Sequence, residues 1–185
     1  GGMYFPLSVG ASAVLSPKRP TPEHIFALLR KFRPTVFFGI PTLYAQMLEY
    51  KKREDAQKGT KPDPNSEHEF SSVRVCVSSG EALPPDIFYR WKERFGLEII
   101  DGIGSTEVLH IFCSNRPGEI KPGSAGKPVP GYELKIVDEE GKEVPQGHIG
   151  TLLVKGESIA QQYWKKREKT RLTMQGEWIN TGDKF

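Results

Sequence analysis

Cysteine is almost absent. The chain has two, Cys76 and Cys113, which excludes a disulfide-built scaffold and suits a reducing compartment. Neither has a Cys or His at metal-ligand spacing, so a zinc site is not expected. Long apolar runs are missing as well. No stretch approaches the roughly 18 consecutive apolar residues of a membrane span, and the start shows neither the basic nor the apolar region of a secretory signal. Cytoplasm is therefore the expected location. An excess of one charge is lacking too: 26 Lys and Arg stand against 23 Asp and Glu, for a net charge of +3. The basic residues are scattered among acids, which argues against a nucleic-acid surface. No internal repeat is found. The ends, Gly1-Gly2-Met3-Tyr4-Phe5 and Thr181-Gly182-Asp183-Lys184-Phe185, carry no terminal tail, and the expectation is a piece of a longer protein.

What is present is the composition of a folded domain. Hydrophobic residues are 37% and charged residues 26% of 185, enough apolar material for a sizeable core. Ala11–Leu15 reads as a short buried strand. Thr21-Pro22-Glu23 then opens a helix, with Thr21 as N-cap, Pro22 at the first helical position and an acid in the first turn. Its apolar face is Ile25, Phe26, Leu28, Leu29 and Phe32. Thr35–Phe38 is the next strand, and Pro41 starts a helix to about Arg53. Glu54–Phe70, rich in Lys, Asp, Pro, Gly and Ser, reads as a mobile surface excursion.

The pattern resumes with a strand at Val73–Val77, a turn at Ser78-Ser79-Gly80, a helix from Pro84 to Phe95 and a strand at Leu97–Ile100. Alternating strands and helices with short connections predict an α/β fold, a mostly parallel sheet with flanking helices. After Pro117 the texture turns to short strands punctuated by Gly and Pro: Tyr132–Val137 with a turn signal at Asp138-Glu139-Glu140-Gly141, then Ile149–Val154 and Glu177–Asn180. The expected division is an incomplete α/β subdomain over 1–116 and an incomplete β-rich partial barrel over 117–185.

The densest cluster of candidate chemistry is Asp101-Gly102-Ile103-Gly104-Ser105-Thr106-Glu107, directly after a predicted strand. Glycines let backbone amides approach a ligand, hydroxyls donate to phosphate, and a single carboxylate suits Mg²⁺. A dinucleotide fingerprint fails, because position 107 is Glu where a third glycine is needed. Ser79-Gly80-Glu81-Ala82-Leu83-Pro84 closes the preceding strand, and neighbouring parallel strands share one carboxyl edge, where ligands bind. Asp183, after the strand ending at Asn180, is a carboxylate suited to two vicinal hydroxyls.

This ordered set resembles the adenylate-forming superfamily of acyl-CoA synthetases, luciferases and adenylation domains, and within it the benzoate-CoA ligase branch. Phe38-Gly39-Ile40-Pro41-Thr42-Leu43-Tyr44, Gly123-Ser124-Ala125-Gly126-Lys127-Pro128 and the final Thr-Gly-Asp belong to the same pattern, which covers essentially the whole chain. The resemblance implies an AMP-forming ligase that joins an aromatic carboxylate to CoA, with ATP, Mg²⁺ and CoA as its cofactors and small molecules as its partners. It implies that Gly80, Glu81 and Ala82 lie on one face of adenine and Gly102 and Ile103 on the other, with Asp101 accepting from the exocyclic amine. Thr106 would contact the α-phosphate, Glu107 would hold Mg²⁺, and Asp183 would bind the ribose hydroxyls. Gly104, His110 and Ile111 would line the acid pocket. Many relatives carry an aromatic residue where this chain has Ile103, which weakens stacking on adenine.

The same resemblance shows what is missing. No Ser/Thr/Gly-rich phosphate loop ending in Pro-Lys occurs here, nor the small mobile C-terminal domain with its catalytic lysine. The 185 residues alone are therefore expected to be inactive. A fatty acyl-CoA synthetase, a carrier-protein-loading adenylation domain and a non-catalytic AMP- or ATP-binding relative stay open as alternatives. The run Lys165-Lys166-Arg167 reads as an exposed helix face, and Phe37-Phe38 as core.

Overall fold

A computed structural model describes residues 4–61 and 68–185. The chain forms two units, one of residues 1–102 and 115–126, the other of residues 103–114 and 127–185.

The first unit begins with a short helix, α1 (Tyr4–Ser8). Residues 11–15, expected as a buried strand, are irregular and exposed; Leu15 is 77% exposed. A strand needs a neighbour to satisfy its backbone, and none pairs with this segment among the described residues. Helix α2 (Pro22–Phe32) follows the sequence expectation: Thr21 Oγ1 accepts from the His24 amide, Pro22 sits in the first turn, and Arg33 closes the end at φ 44°. Its buried stripe is Phe26 and Leu29, while Phe32 stays 49% exposed. Strand β1 (Val36–Gly39) leads to α3 (Pro41–Lys58). Phe37 is buried and Phe38 is 49% exposed, because successive strand side chains point to opposite faces.

Helix α3 runs on to Lys58, past the expected end at Arg53. Glu54 links its last turns by pairing with Lys51 and Lys58, and those ammonium donors lower its carboxyl pKa to about 2. Gly59 at φ 66° supplies the left-handed cap. Of the expected excursion, residues 62–67 lie outside the described residues. Phe70 corrects the rest, being fully buried with its ring centroid 5.4 Å from Phe37, 4.9 Å from Trp91 and 5.0 Å from Phe95. Strand β2 (Val75–Ser78), helix α4 (Pro85–Phe95) and strand β3 (Ile99–Gly104) complete the βαβ run. β1, β2 and β3 pair in parallel, with Tyr44, Met47, Trp91 and Ile99 in the core.

Residues 103 and 104 of β3 belong to the second unit, as does β4 (Ile111–Ser114), which lies next to β3 and pairs antiparallel with β5 (Lys127–Pro128). The five-stranded sheet is thus mostly parallel. A separate antiparallel sheet follows, formed by β6 (Tyr132–Val137) and β7 (Thr151–Gly156), a helix α5 (Arg167–Thr173), and β8 (Met174–Gln175) and β9 (Trp178–Lys184), in the order β6-β7-β9-β8. Val137, Leu152, Val154 and Ile179 are buried there. The turn at 138–142 forms as expected, with Asp138 Oδ1 accepting from the Glu140 and Lys142 amides. Of the basic run, only Arg167 is helical; Lys166 is the N-cap and Lys165 has φ 55°.

Candidate active site

In the first unit, Gly39 is the register partner of Ser78, and Ser78 of Asp101, so the carboxyl ends of β1, β2 and β3 share one edge. The chain leaves β2 through Gly80 at φ 97°, a backbone conformation that favours glycine. Gly80, Glu81 and Ala82 are exposed. Thr42 Oγ1, in the first turn of α3, donates to Glu81 Oε2 at 2.9 Å. Buried Leu83 then donates its amide to Asp101 Oδ2 at 3.3 Å, which ties the loop after β2 to β3.

Asp101 is 9% exposed, and its Oδ1 has no hydrogen-bond partner among the described residues. The buried Ser78 Oγ is unpartnered likewise; it lies near enough to draw the Asp101 pKa down without reaching hydrogen-bonding geometry. Burial outweighs it and the backbone donors, and raises the carboxyl above its ordinary range. A buried acceptor oxygen without a donor costs about 1–3 kcal/mol. It fits a ligand that brings an N–H to this spot, as an adenine amine would. Asn115 fixes the position: its amide and Nδ2 donate to the Asp101 carbonyl at 3.0 and 3.3 Å, Nδ2 also reaches the Ser124 carbonyl, and Oδ1 accepts from the Lys121 amide.

In the second unit, residues 105–110 turn between β3 and β4. The Leu109 amide donates to the Thr106 carbonyl at 3.2 Å with Leu109 at φ 80°. Thr106 is exposed. Glu107 is gripped from two directions: its carbonyl accepts from the Ala160 amide at 2.6 Å, and Oε1 accepts from Tyr163 Oη at 2.6 Å. The Tyr163 phenol, then the residue's own amide, lower the Glu107 pKa against a smaller effect of burial. The same bond raises the pKa of Tyr163. Lys169 Nζ stands 4.2 Å from the Tyr163 ring centroid. Together Ser105, Glu107, Tyr163, Lys169 and Thr181 line part of a cavity of about 390 Å³.

No group of three Cys, His, Asp or Glu able to hold a metal occurs among the described residues. Glu107 stands as a single carboxylate among hydroxyls. That donor set fits Mg²⁺, which takes one or two carboxylates and fills its shell with phosphate oxygens and water.

Asp183 lies within β9 and not after it. Leu153 pairs with Asn180 and Thr151 with Lys184, so residues 181–183 bulge from the ladder. Gly182 at φ 81° makes the bend, and Thr181 Oγ1 donates back to the Leu152 carbonyl at 2.9 Å. The bulge presents Asp183 exposed.

His110 has protein partners on both ring nitrogens, the Ile111 carbonyl 2.6 Å from Nδ1 and Tyr132 Oη 3.1 Å from Nε2. Gly104 is glycine for a backbone reason. A Cβ there would lie 2.5 Å from the His110 carbonyl oxygen and 2.7 Å from Ile111 Cα.

Residues 1–164 match the family model described as AMP-binding enzyme. The chain belongs to that family. It is 50% identical over its whole length to the benzoate–CoA ligase of Thauera aromatica, covering 33% of that protein. Among solved structures, an anthranilate CoA ligase in complex with anthranoyl-AMP superposes with a TM-score of 0.89 at 50% identity, over all of this chain and 34% of that one. A benzoate CoA ligase from Burkholderia xenovorans LB400 gives 0.87 at 52% identity, over 99% of this chain and 35% of that one. The chain thus spans about a third of the length of the relatives it matches.

In this member of the AMP-binding family the expected site residues fall into two sets. Gly80, Glu81, Ala82, Asp101 and Gly102 lie in the first unit; Ile103, Gly104, Thr106, Glu107, His110, Ile111 and Asp183 lie in the second. Asn115, Tyr163, Lys169, Tyr132 and Ser158 went unread in the sequence. Only Asn115 left a trace there, a lone amide two residues after the apolar stretch Ile111–Cys113.

Proposed function

We infer that the chain is the central part of an ATP-dependent aryl-CoA ligase, with residues 1–116 and 117–185 as incomplete α/β and β-rich subdomains of its large domain. The observation that carries this reading is the buried, unpartnered Oδ1 of Asp101, fixed by Leu83 at the end of the exposed Gly80–Ala82 loop. That is a recognition element for adenine's amine, with Gly102 and Ile103 against the other face of the base. The aromatic substrate class is supported by whole-chain similarity to ligases named for benzoate and anthranilate.

In the first half-reaction an oxygen of the aromatic carboxylate attacks the α-phosphorus of ATP. The bond to the β-phosphate breaks, and pyrophosphate leaves. In the second, the CoA sulfur attacks the acyl carbon, AMP departs with the bonding pair, and the thiol proton is lost. Both partners of the first step are anions, so positioning and charge compensation carry it. Glu107 would hold Mg²⁺, which when bound offsets phosphate charge. Tyr163 keeps Oε1 of Glu107 occupied and so holds the carboxylate in place. Thr106 donates to the α-phosphate, and Asp183 accepts from the ribose hydroxyls. Gly104, His110 and Ile111 line the acid pocket. The activity belongs to the longer protein; the 185 residues alone are inactive in this reading.

The test is pyrophosphate release by the full-length protein with ATP, Mg²⁺ and a panel of aromatic and aliphatic acids. Benzoate-like acids should give release, and Glu107→Ala should lower kcat by about a hundredfold or more. Release with aliphatic acids alone would overturn the aromatic assignment. No release with any acid would leave a nucleotide-binding relative.

A further inference from the structure

His110 is held by Tyr132 of the antiparallel sheet, which is backed by Ser158 in the turn after β7. Tyr132 opens β6, and its register partner on β7 is Gly156. A Cβ at position 156 would run into Cδ1 and Cε1 of the Tyr132 ring, so glycine there gives the ring its place. That ring stands edge-on to His110, with centroids 5.6 Å apart and planes at 89°. Its hydroxyl lies 3.1 Å from His110 Nε2 and 2.6 Å from Ser158 Oγ. Ser158 in turn donates to the Val108 carbonyl at 2.7 Å.

The proton placement follows from the ends of this chain of contacts. A carbonyl only accepts, so Nδ1, facing the Ile111 carbonyl, carries a proton. In the neutral ring Nε2 is then the acceptor and Tyr132 the donor. The Ser158 proton serves the Tyr132 oxygen and the Val108 carbonyl by turns. Val108, His110 and Ile111 sit on one stretch of chain, so both ends of the clamp close on the same turn.

We propose that Tyr132 and Ser158 are positioning residues that fix the ring plane and tautomer of His110, and with them the selectivity of the acid pocket for a flat aromatic acid. This rests on the reading that Gly104, His110 and Ile111 line that pocket. A planar ring needs a wall at one angle, whereas a flexible aliphatic acid adapts to several. Loosening His110 therefore costs the aromatic acid more.

The test compares Tyr132→Phe, Ser158→Ala, His110→Ala and Tyr132→Phe with His110→Ala in the full-length protein. The readouts are KM for the acid, KM for ATP, and the side-chain resonances of ¹⁵N- and ¹³C-labelled histidine, with the His110 signal identified by its loss in His110→Ala. Tyr132→Phe should raise KM for benzoate-like acids about fivefold to tenfold, the scale of one hydrogen bond. KM for ATP should stay level, and the His110 resonance should move. Ser158→Ala should shift both acid KM and resonance in the same direction by less. The double variant should match His110→Ala alone, because both changes act through one ring. Multiplying effects on acid KM, or an unmoved His110 resonance in both single variants, would overturn the proposal. If the wild-type protein releases no pyrophosphate with aromatic acids, the pocket assignment falls. The histidine resonance then still decides whether Tyr132 holds the ring.

Discussion

Asp101 combines two demands that pull apart. Its burial favours the neutral acid, whereas the proposed recognition of an amine donor needs a carboxylate oxygen left unpaired. A carboxyl with a raised folded pKa binds its proton more tightly in the folded chain than in the unfolded one. Its contribution to stability therefore falls as pH rises through the window between the ordinary Asp value and the raised one, and at neutral pH it is a net cost. Asp101→Asn removes that cost, and with its one amide oxygen in the place of Oδ2 it still accepts from the Leu83 amide. The expected outcome is a melting temperature no lower than wild type, with a gain on the order of 1 kcal/mol. The fall in stability through that pH window should also be absent. KM for ATP in the full-length protein should rise about tenfold, because an amide N–H would then face the adenine amine. Thermal melts across pH and steady-state kinetics check the two halves separately.

At the scale of elements, the turn from β3 to β4 is a backbone device. Gly104 lets the His110–Ile111 backbone come within reach of β3, and no side chain fits between them. Gly104→Ala should displace that backbone and raise KM for the acid by tenfold or more, with unchanged far-ultraviolet circular dichroism. Elements of this kind divide into those written locally and those not. Helix α2 was legible because Thr21, Pro22 and Glu23 spell its start and Phe26 and Leu29 its buried stripe. The strands at the parallel edge were legible from apolar runs ending in glycine. Residues 11–15 have a strand's composition but no neighbour to pair with, and pairing is not a local property. Phe70 was hidden by the polar residues before it, though its ring sits at the centre of an aromatic cluster. The sequence places Asp183 after a strand, since a bulge depends on the register of the opposite strand. The grip of Tyr163 on Glu107 joins residues 56 apart, a closeness that no spacing reveals.

At the scale of the molecule, the two units each have buried residues of their own, and each contains one of the two cysteines. Cys76, on β2 of the first, is fully buried, and burial pushes its thiol up to about 12. Cys113, on β4 of the second, is 6% exposed and shifted upward for the same cause. Neither forms a disulfide. Only the thiolate attacks an alkylating reagent, and only when the reagent can reach it. The native chain should therefore take up almost no maleimide at pH 7 over minutes, whereas the denatured chain takes up two equivalents, as read by mass spectrometry. Under mild denaturant the two sites become stopwatches, one started by the opening of each unit. Equal labelling rates would mean that the chain opens in one cooperative event; unequal rates would give the order in which its halves come apart.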